Sequence, residues 1–266
     1  MIFAQSSKQS SKQYSTGQSA KLPSLTAPAI SRSVTVVVCA RNEAANLAPL
    51  FNAIELAFQS LGFELPVLLI DDGSSDDTPA TLEQLQPNYS FLTIIRHDPG
   101  KGLTQCLKTA IANTDTDWLY FSPADLESDP TTDLPCLLNN CSGEVDAIAG
   151  WRQARKDGKT LASTVANQTC NLLFGLNIHD MNWIKLVRRD VLTQLPIEKT
   201  SHAYILPIMA ALGYHITEVP TAWHARQEGK SKFNSSRLLS SAIKFWRLWW
   251  WFYIVEKGRP ISKTAN

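Results

Sequence analysis

Cysteine is scarce in this sequence, and no two cysteines stand close enough to form a C-x-x-C pair. Five scattered cysteines fit small buried thiols in a reducing compartment better than a disulfide framework or a zinc site. They stand at Cys39, Cys106, Cys136, Cys141 and Cys170. A surplus of charge of one sign is also missing, because the formal net charge is only +1. No global electrostatic field therefore indicates a nucleic-acid partner.

Long apolar runs are missing as well. The apolar run near the carboxyl terminus holds eight residues, 248–255, whereas a membrane-spanning helix needs about 20. Residues 1–32 are rich in Ser, Gln and Lys and have no apolar periodicity, which predicts a disordered tail and not a secretory signal. With 44% hydrophobic and 18% charged residues, the full chain has the composition of a globular protein.

The chain does contain an alternation of β-branched runs and helical periodicity. Strands are predicted at 34–40, 67–70, 91–96 and 118–121, with helices at about 46–61, 79–85 and 103–112 between them. Further along, we expect an amphipathic segment at 161–174, a helix at 203–212 and a strand at 216–219. This order predicts an α/β fold with a mostly parallel sheet flanked by helices. We expect residues 33–235 to form one domain, followed by an amphipathic aromatic helix and tail at 236–266.

The second strand ends abruptly in Asp71 and Asp72, followed by a glycine and two serines. In an open parallel sheet, ligands bind at the carboxyl ends of the strands. The two carboxylates could therefore accept hydrogen bonds from a ligand. The alternative is a solvated acidic cap at a strand–turn–helix junction.

Asp125 and Glu127 stand one residue apart after the fourth strand. Alternate residues of an extended segment face the same way, so both carboxylates could reach one point. Oxygen ligands of this kind suit Mg²⁺ or Mn²⁺ that also holds substrate phosphates. The alternative is a solvated acidic turn.

Three segments carry groups that attract anions. Gly100-Lys101-Gly102 opens a helix, where backbone N–H groups and the lysine favour an anion, although the spacing of a Walker motif is absent. Cationic loops at 152–159 and 226–232 could hold a phosphate through arginine and lysine, or could be solvated basic loops. Their relevant cations are Arg152, Arg155, Lys156 and Lys159 in the first loop, and Arg226, Lys230 and Lys232 in the second.

Taken together and in order, these motifs resemble glycosyltransferase family 2, which has the GT-A fold. Within it, the resemblance is to dolichyl- and polyprenyl-phosphate sugar synthases. It covers about residues 34–233, roughly three quarters of the chain. The matching segments are 40–47, 71–78, 100–102, 124–130, Asp180 with 185–189, and 218–220 with 226–233.

The resemblance implies an inverting, metal-dependent transferase with a nucleotide-diphosphate sugar as donor and a polyprenyl phosphate as acceptor. Glu43 and Asp72 would contact the nucleotide base and ribose, and Lys101, Arg226 and Lys232 the donor phosphates. Asp125 and Glu127 would hold Mg²⁺ or Mn²⁺ against the diphosphate. The acceptor phosphate would contact Arg152, Arg155, Lys159 and Ser163. With a hydroxyl acceptor, a base would be needed, and Asp180 is the predicted one; His202 is predicted to be structural.

The chain departs from the family pattern at three places. The first aspartate of the family's D-A-D motif is replaced by Pro123, and the usual Gln is replaced by Glu127. Asp98 and Pro99 precede the Gly-Lys-Gly turn, which puts a carboxylate near the donor site. Two alternatives stay open: a catalytically weak nucleotide-sugar binding or scaffold protein, which the replacement at position 123 motivates, and a family 2 transferase with a hydroxyl acceptor.

The aromatic segment 246–253 contains Arg247 and is flanked by Lys244, Lys257 and Arg259. Tryptophan and tyrosine prefer the headgroup region of a bilayer, so an interfacial helix is one interpretation. The other is a helix packed on the protein or on a partner subunit. The first interpretation predicts a cytoplasmic protein that is peripheral at the inner face of a membrane.

Overall fold

The computed structural model describes residues 33–153, 160–225 and 235–255; side chains of residues 160–163 and 235–242 are not described. Seven strands form one sheet in the order β3-β2-β1-β4-β6-β5-β7. The strands are β1 (Val34–Ala40), β2 (Val67–Asp71), β3 (Leu92–Arg96), β4 (Trp118–Pro123), β5 (Ala147–Arg152), β6 (Lys185–Arg188) and β7 (Ile216–Thr221). β6 runs antiparallel to both of its neighbours, and every other pairing is parallel.

The helices follow the strands in alternation through the first half of the chain. They are α1 (Ala44–Leu61), α2 (Thr78–Leu85), α3 (Leu103–Ala112), α4 (Pro130–Asn139), α5 (Thr160–Phe174), α6 (Arg189–Gln194), α7 (Ile205–Ala211) and α8 (Ser235–Trp250). Short 3₁₀ turns lie at Gln86–Asn88 and His202–Tyr204, and a π-helical turn lies at Trp251–Val255. The mostly parallel α/β fold predicted from the sequence is confirmed.

The sheet is buried on both faces because successive side chains of a strand point to opposite sides. On β1, Val36 and Val38 pack with the helices α1 and α4 in one apolar cluster. Val37, between them, belongs to a second cluster that includes α3, α5, α6 and α7. A strand buried on both faces favours a near-continuous apolar sequence, which explains the β-branched run of four valines and Thr35 at 34–38.

The helix α8 packs on the second cluster through Phe245 and Leu248, and Phe252 of the following turn joins them. Phe245 lies against Phe174 and Tyr204, with ring centroids 5.8 and 5.9 Å apart. The interpretation of this segment as a helix packed on the protein is thus correct for one of its faces. None of the helices in the described part of the chain is both long and apolar enough to cross a membrane.

Candidate active site

The carboxyl ends of β1, β2, β4, β5 and β7 meet at one edge of the sheet, because these strands share a direction. The sequence places charged residues at, or within three residues of, the carboxyl ends of four of them. Glu43 follows β1, Asp72 follows β2, Asp125 follows β4, and Arg152 ends β5. Residues far apart in the sequence are therefore gathered along a single edge, where the open α/β sheet binds ligands.

The turn after β2 is built around Asp71. Its buried carboxylate accepts hydrogen bonds from the backbone N–H of Ser74 at 3.0 Å and from the Ser74 hydroxyl at 2.5 Å. Arg96, at the end of the neighbouring β3, approaches the other carboxylate oxygen at 3.6 Å. Asp71 thus stabilises the turn that presents the next residue.

Asp72 is 4% exposed and holds two segments together. Its carboxylate accepts hydrogen bonds from the backbone N–H groups of Lys101 at 2.6 Å and Gly102 at 2.9 Å, and contacts His97 Nδ1 at 3.1 Å. Burial acts to raise the pKa of Asp72, but the hydrogen bonds from Lys101, His97 and Gly102 outweigh it, so the pKa is lowered from its usual value. Asp72 is therefore an internal anion that fixes the Gly-Lys-Gly turn. A contact with a nucleotide stays a prediction.

His97 was not singled out by the sequence, yet it lies at the centre of this arrangement. Its Nε2 contacts the Thr109 hydroxyl at 2.9 Å, and Cys106 Sγ lies 3.9 Å from Nδ1. Asp72, His97 and Cys106 offer metal-ligand atoms within 4.8 Å of one another. Both imidazole nitrogens and both Asp72 oxygens already have hydrogen-bond partners, which a cation would have to displace. The cluster is better described as a buried hydrogen-bond network than as a metal site. Its signal in the sequence was a histidine directly after a strand.

Two glycines allow the turns after β2 and β3 to touch. Gly73 has φ +68°, and a Cβ on it would overlap the backbone N of Gly100. A Cβ on Gly100 would in turn overlap the carbonyl oxygen of Asp72. The Lys101 N–H is donated to Asp72, and its side chain is exposed. The exposed ammonium of Lys101 is thus the group that could meet an anion.

The loop after β1 is tied to the same turn. Asn42 adopts φ +57°, its N–H donates to the Ser74 hydroxyl at 2.9 Å, and its side-chain oxygen accepts from Ser75 N at 2.8 Å. The N–H of Glu43 donates to the Thr78 hydroxyl at 2.9 Å. The Glu43 carboxylate accepts from Asn46 Nδ2 at 2.7 Å. Glu43 therefore lies beside the Asp72 turn at the same sheet edge, and its contact with a nucleotide stays a prediction.

Asp125 and Glu127 lie on a tight turn, so the extended geometry expected from the sequence is wrong. Leu126 between them has φ +57°, and Glu127 N lies 3.3 Å from Asp125 Oδ1. The turn is supported by the buried Asp133, which accepts from the Ser128 hydroxyl at 2.6 Å. Two acidic residues still lie on one turn at the end of β4, and carboxylate oxygens are ligands that suit a hard divalent cation.

The loop after β7 passes beside this turn. The backbone N–H of His224 donates to the carbonyl oxygen of Glu127 at 3.0 Å. Arg226, two residues further on, and Lys232 lie outside the described residues, as do Arg155 and Lys159. The backbone of Ser163 belongs to α5, and its side chain is outside the described set. The proposed phosphate contacts of these five residues stay predictions.

Arg152 and Asp180 form a buried ion pair with each other. Arg152 Nε lies 2.5 Å from Asp180 Oδ2 and Arg152 Nη2 lies 3.0 Å from Asp180 Oδ1, and each side chain is 8% exposed. The guanidinium carbon also lies 4.6 Å from the centre of the Trp183 ring. Sequence reasoning assigned the two residues separate roles and missed the pairing. Proton transfer to Asp180 would disrupt a pair that is shielded from water, so the geometry disfavours it as a general base.

Lys185 on β6 lies in the field of this pair. Burial lowers the pKa of Lys185 from 10.5 to about 8, with Asp180 acting to raise it and Arg152 to lower it. Burial, with Lys185 and Lys244 adding to it, lowers the pKa of His202 to about 4. His202 lies 3.3 Å from the Thr104 hydroxyl and is neutral at pH 7, in keeping with a structural role.

An aromatic pair borders Arg152 and was also missed from the sequence. The Trp151 and His179 rings stack with centroids 4.0 Å apart, and Glu218 on β7 contacts His179 Nδ1. His179 directly precedes Asp180 in the chain. The stack therefore fixes the loop that carries the carboxylate partner of Arg152.

The sequence matches the family model "Glycosyl transferase family 2" over residues 35–193, which is more than half of the chain. The chain therefore belongs to glycosyltransferase family 2, and the family predicted from its motifs is confirmed. The matched region runs from β1 through most of α6. It includes the turns that carry Asp72, Asp125, Arg152 and Asp180.

Individual relatives agree with this assignment. A dodecaprenyl-phosphate galacturonate synthase of Rhizobium johnstonii is 26% identical over 241 residues, which cover 88% of this chain and 70% of that protein. Glucosyl-3-phosphoglycerate synthase of Mycobacterium tuberculosis, solved with Mn²⁺, UDP-glucose and phosphoglyceric acid, gives a TM-score of 0.64 at 17% identity, covering 86% of each chain. A mannosyltransferase of Pyrobaculum calidifontis, solved with GDP-Man and Mn²⁺, gives 0.55 at 17% identity, covering 74% of this chain and 58% of that one. The fold is thus the GT-A fold.

The contact between the two glycine turns leads to a prediction for Gly73→Ala. Gly62 is the matched control, because it has φ +77° and a Cβ on it meets no atom within 4 Å. Both substitutions should carry the left-handed backbone cost of about 1–2 kcal/mol. Gly73→Ala should lower the free energy of unfolding further, since its Cβ collides with backbone. Urea unfolding followed by circular dichroism measures the difference; equal losses would contradict the close approach.

The buried ammonium of Lys185 leads to a pH-dependent prediction. Between pH 8 and 10.5 the unfolded chain holds more protons at this residue than the folded chain, so its contribution to stability rises with pH. Relative to Lys185→Met, the wild type should gain about 2 kcal/mol in free energy of unfolding between pH 7 and pH 9.5. Paired urea titrations at both pH values test this. A difference that stays constant with pH would refute the lowered pKa.

Proposed function

We propose that this protein transfers a sugar from a nucleotide-diphosphate donor to a polyprenyl phosphate, with inversion at the anomeric carbon. One observation carries the proposal: a carboxylate pair and a buried arginine stand on the same sheet edge, Asp125 with Glu127 after β4 and Arg152 at the end of β5. The two acidic residues suit a metal-bound diphosphate, and the arginine suits an acceptor phosphate. Family membership and the name of the Rhizobium relative support it.

On the donor side, a Mg²⁺ or Mn²⁺ ion would be held by Asp125 and Glu127. Such an ion neutralises the charge that develops on the departing diphosphate. The two residues lie on one turn, where the backbone N of Glu127 is 3.3 Å from Asp125 Oδ1. Glu43 and Asp72 would position the nucleotide, with Asp72 acting through the turn that it fixes. Lys101, Arg226 and Lys232 would supply positive charge to the diphosphate.

On the acceptor side, no strong base is required. A phosphate monoester has a second pKa of about 6, so its attacking oxygen is already anionic near neutral pH. Arg152 directs two of its five N–H groups at Asp180. Asp180 thereby orients the guanidinium, whose remaining N–H groups could bind the phosphate. Arg155, Lys159 and Ser163 would add contacts to the same phosphate. Positioning of the acceptor oxygen against the sugar would then supply much of the rate enhancement.

The reaction would take place at the cytoplasmic face of a membrane, because a polyprenyl phosphate resides in a bilayer and the nucleotide sugar comes from water. The protein would be peripheral there. The free state of all five thiols agrees with a reducing compartment.

A second candidate function rests on Pro123. This residue ends β4 opposite Cys39 of β1, where the family pattern has an aspartate that contacts the nucleotide sugar. A chain without that aspartate could bind nucleotide sugars and turn them over poorly. Incubation with labelled nucleotide sugars, Mn²⁺ and polyprenyl phosphate distinguishes the two. Measurable donor binding without a lipid-linked product from any donor would favour the binding protein and reject the transferase.

Asp125→Asn should reduce transfer by at least about 100-fold, since a neutral amide is a poor ligand for a divalent cation that stabilises several kcal/mol of developing charge. Formation of labelled lipid product is the measurement. Asp117→Asn is a matched control, because Asp117 precedes the same strand at its opposite end. Full activity of Asp125→Asn, or activity of the wild type in excess EDTA, would contradict the metal site.

Steady-state kinetics of variants at Arg152 and Asp180 distinguish a phosphate acceptor from a hydroxyl acceptor. With a phosphate acceptor, Arg152→Lys should raise the KM for polyprenyl phosphate about 10- to 100-fold, the range for losing a charged hydrogen bond. Asp180→Asn should then change KM more than kcat. With a hydroxyl acceptor, Asp180→Asn should lower kcat by about 10²–10⁴-fold by removing a general base. Arg188→Lys, in an exposed pair with Asp190, controls for loss of an arginine.

A further inference from the structure

The outer face of α8 and the following turn is apolar. Ile243, Trp246, Trp250 and Ile254 are 52%, 57%, 56% and 54% exposed. They are spaced by three, four and four residues, which places them along one side of a helix. The inner face is formed by Phe245, Leu248 and Phe252, each at most 8% exposed. We call the four exposed residues the α8 stripe. It has no covering side chains among the residues that the structure describes.

Positive charge flanks the α8 stripe. Lys244 and Arg247 are exposed on the same helix, and together with Lys199 they line a cavity of about 570 Å³ beside it. Trp250 and Trp251 also line this cavity. Its one carboxylate, on Glu198, is paired with Lys108. Within the described part of the chain, no ion pair involves Lys199, Lys244 or Arg247, so the cavity is cationic.

We propose that the α8 stripe docks on a bilayer that contains anionic phospholipid, with the lipid phosphates bound by Lys199, Lys244 and Arg247. Two tryptophans beside cations match the boundary between headgroups and acyl chains, where indole rings are favoured. Each lysine or arginine near an anionic membrane adds attraction. The proposal concerns a surface outside the donor and acceptor site and goes beyond the proposed reaction.

Charge also decides between a membrane and a second copy of the chain. A two-fold dimer through the α8 stripe would place the same patch on both partners. Lys244 and Arg247 of one copy would then lie near their counterparts, and like charges would repel. An anionic lipid surface offers the complementary charge, so it is the occupant that the flanking cations favour.

The inner face of α8 links this surface to the proposed acceptor side. Phe245 and Phe252 pack on Phe174 at the end of α5, and the Tyr253 hydroxyl donates to the carbonyl oxygen of Leu173 at 2.6 Å. The helix α5 begins at Thr160, eight positions after Arg152. A membrane-docked α8 therefore supports the helix that follows the proposed acceptor-binding segment.

Flotation with lipid vesicles tests the proposal. The full-length protein is mixed with vesicles of phosphatidylcholine alone, or of phosphatidylcholine with phosphatidylglycerol, and the bound fraction is measured after density centrifugation. The vesicles contain no polyprenyl phosphate, so the result is independent of the proposed reaction. We expect binding to the anionic vesicles, weakening as salt is added, and at least about tenfold weaker binding to neutral vesicles.

Two variant pairs probe the stripe and its cations separately. Trp246→Glu with Trp250→Glu should abolish flotation, whereas Leu56→Glu, at a 46% exposed position on α1, should not. Lys244→Gln with Arg247→Gln should weaken binding to anionic vesicles about tenfold or more, and Arg188→Gln should leave it unchanged. Circular dichroism verifies that each variant is folded.

Three outcomes would overturn the proposal. The wild type could fail to bind anionic vesicles, or the tryptophan variant could bind them as well as the wild type does. Alternatively, sedimentation could show a wild-type dimer that the tryptophan substitutions dissociate, without vesicle binding by either form. That last result would assign the α8 stripe to a second copy of the chain.

Discussion

The carboxylate of Asp72 is the constraint on which this site depends. An ionised group removed from water costs several kcal/mol unless hydrogen bonds replace its hydration. The N–H groups of Lys101 and Gly102 and the ring of His97 supply those bonds. They can do so only if the turns after β2 and β3 touch, which is why Gly73 and Gly100 have no room for a Cβ. One buried charge thus fixes the relative positions of the loops after β2 and β3.

A second buried pair organises the other side of the site in a similar way. Arg152 and Asp180 satisfy each other with two hydrogen bonds, while Lys185 adds a further charge that burial disfavours. One carboxylate thus stands among two cationic side chains. A bound phosphate would supply the negative charge that balances the second of these two cations. This imbalance favours an anionic acceptor over a neutral hydroxyl.

The sequence predicted the N-terminal half of the sheet because β1 to β4 are buried apolar runs that end in polar turns. It missed β6 as a strand, since four residues with a charge at each end, Lys185–Arg188, show no distinct pattern. It also missed α4, where Pro135 interrupts the helical signal. Motif spacing located Asp125 and Glu127. The contact of Arg152 with Asp180 joins residues 28 positions apart on different elements, and nothing local encodes it.

Two departures from the family pattern lie on or next to the turn after β4, and they change its charge in opposite directions. Pro123 removes one carboxylate from the motif, while Glu127 adds one where the family usually has a neutral amide. The number of acidic side chains on the turn is therefore unchanged. Glu127 lies within hydrogen-bonding reach of Asp125 through its backbone N–H, and the loop after β7 holds its carbonyl oxygen. Attraction for a divalent cation depends on charge as well as on distance, so an unchanged number of carboxylates is compatible with a metal site on this turn. The aspartate that Pro123 replaces is the one that touches the nucleotide sugar in the family pattern, so this exchange should affect donor affinity more than metal binding.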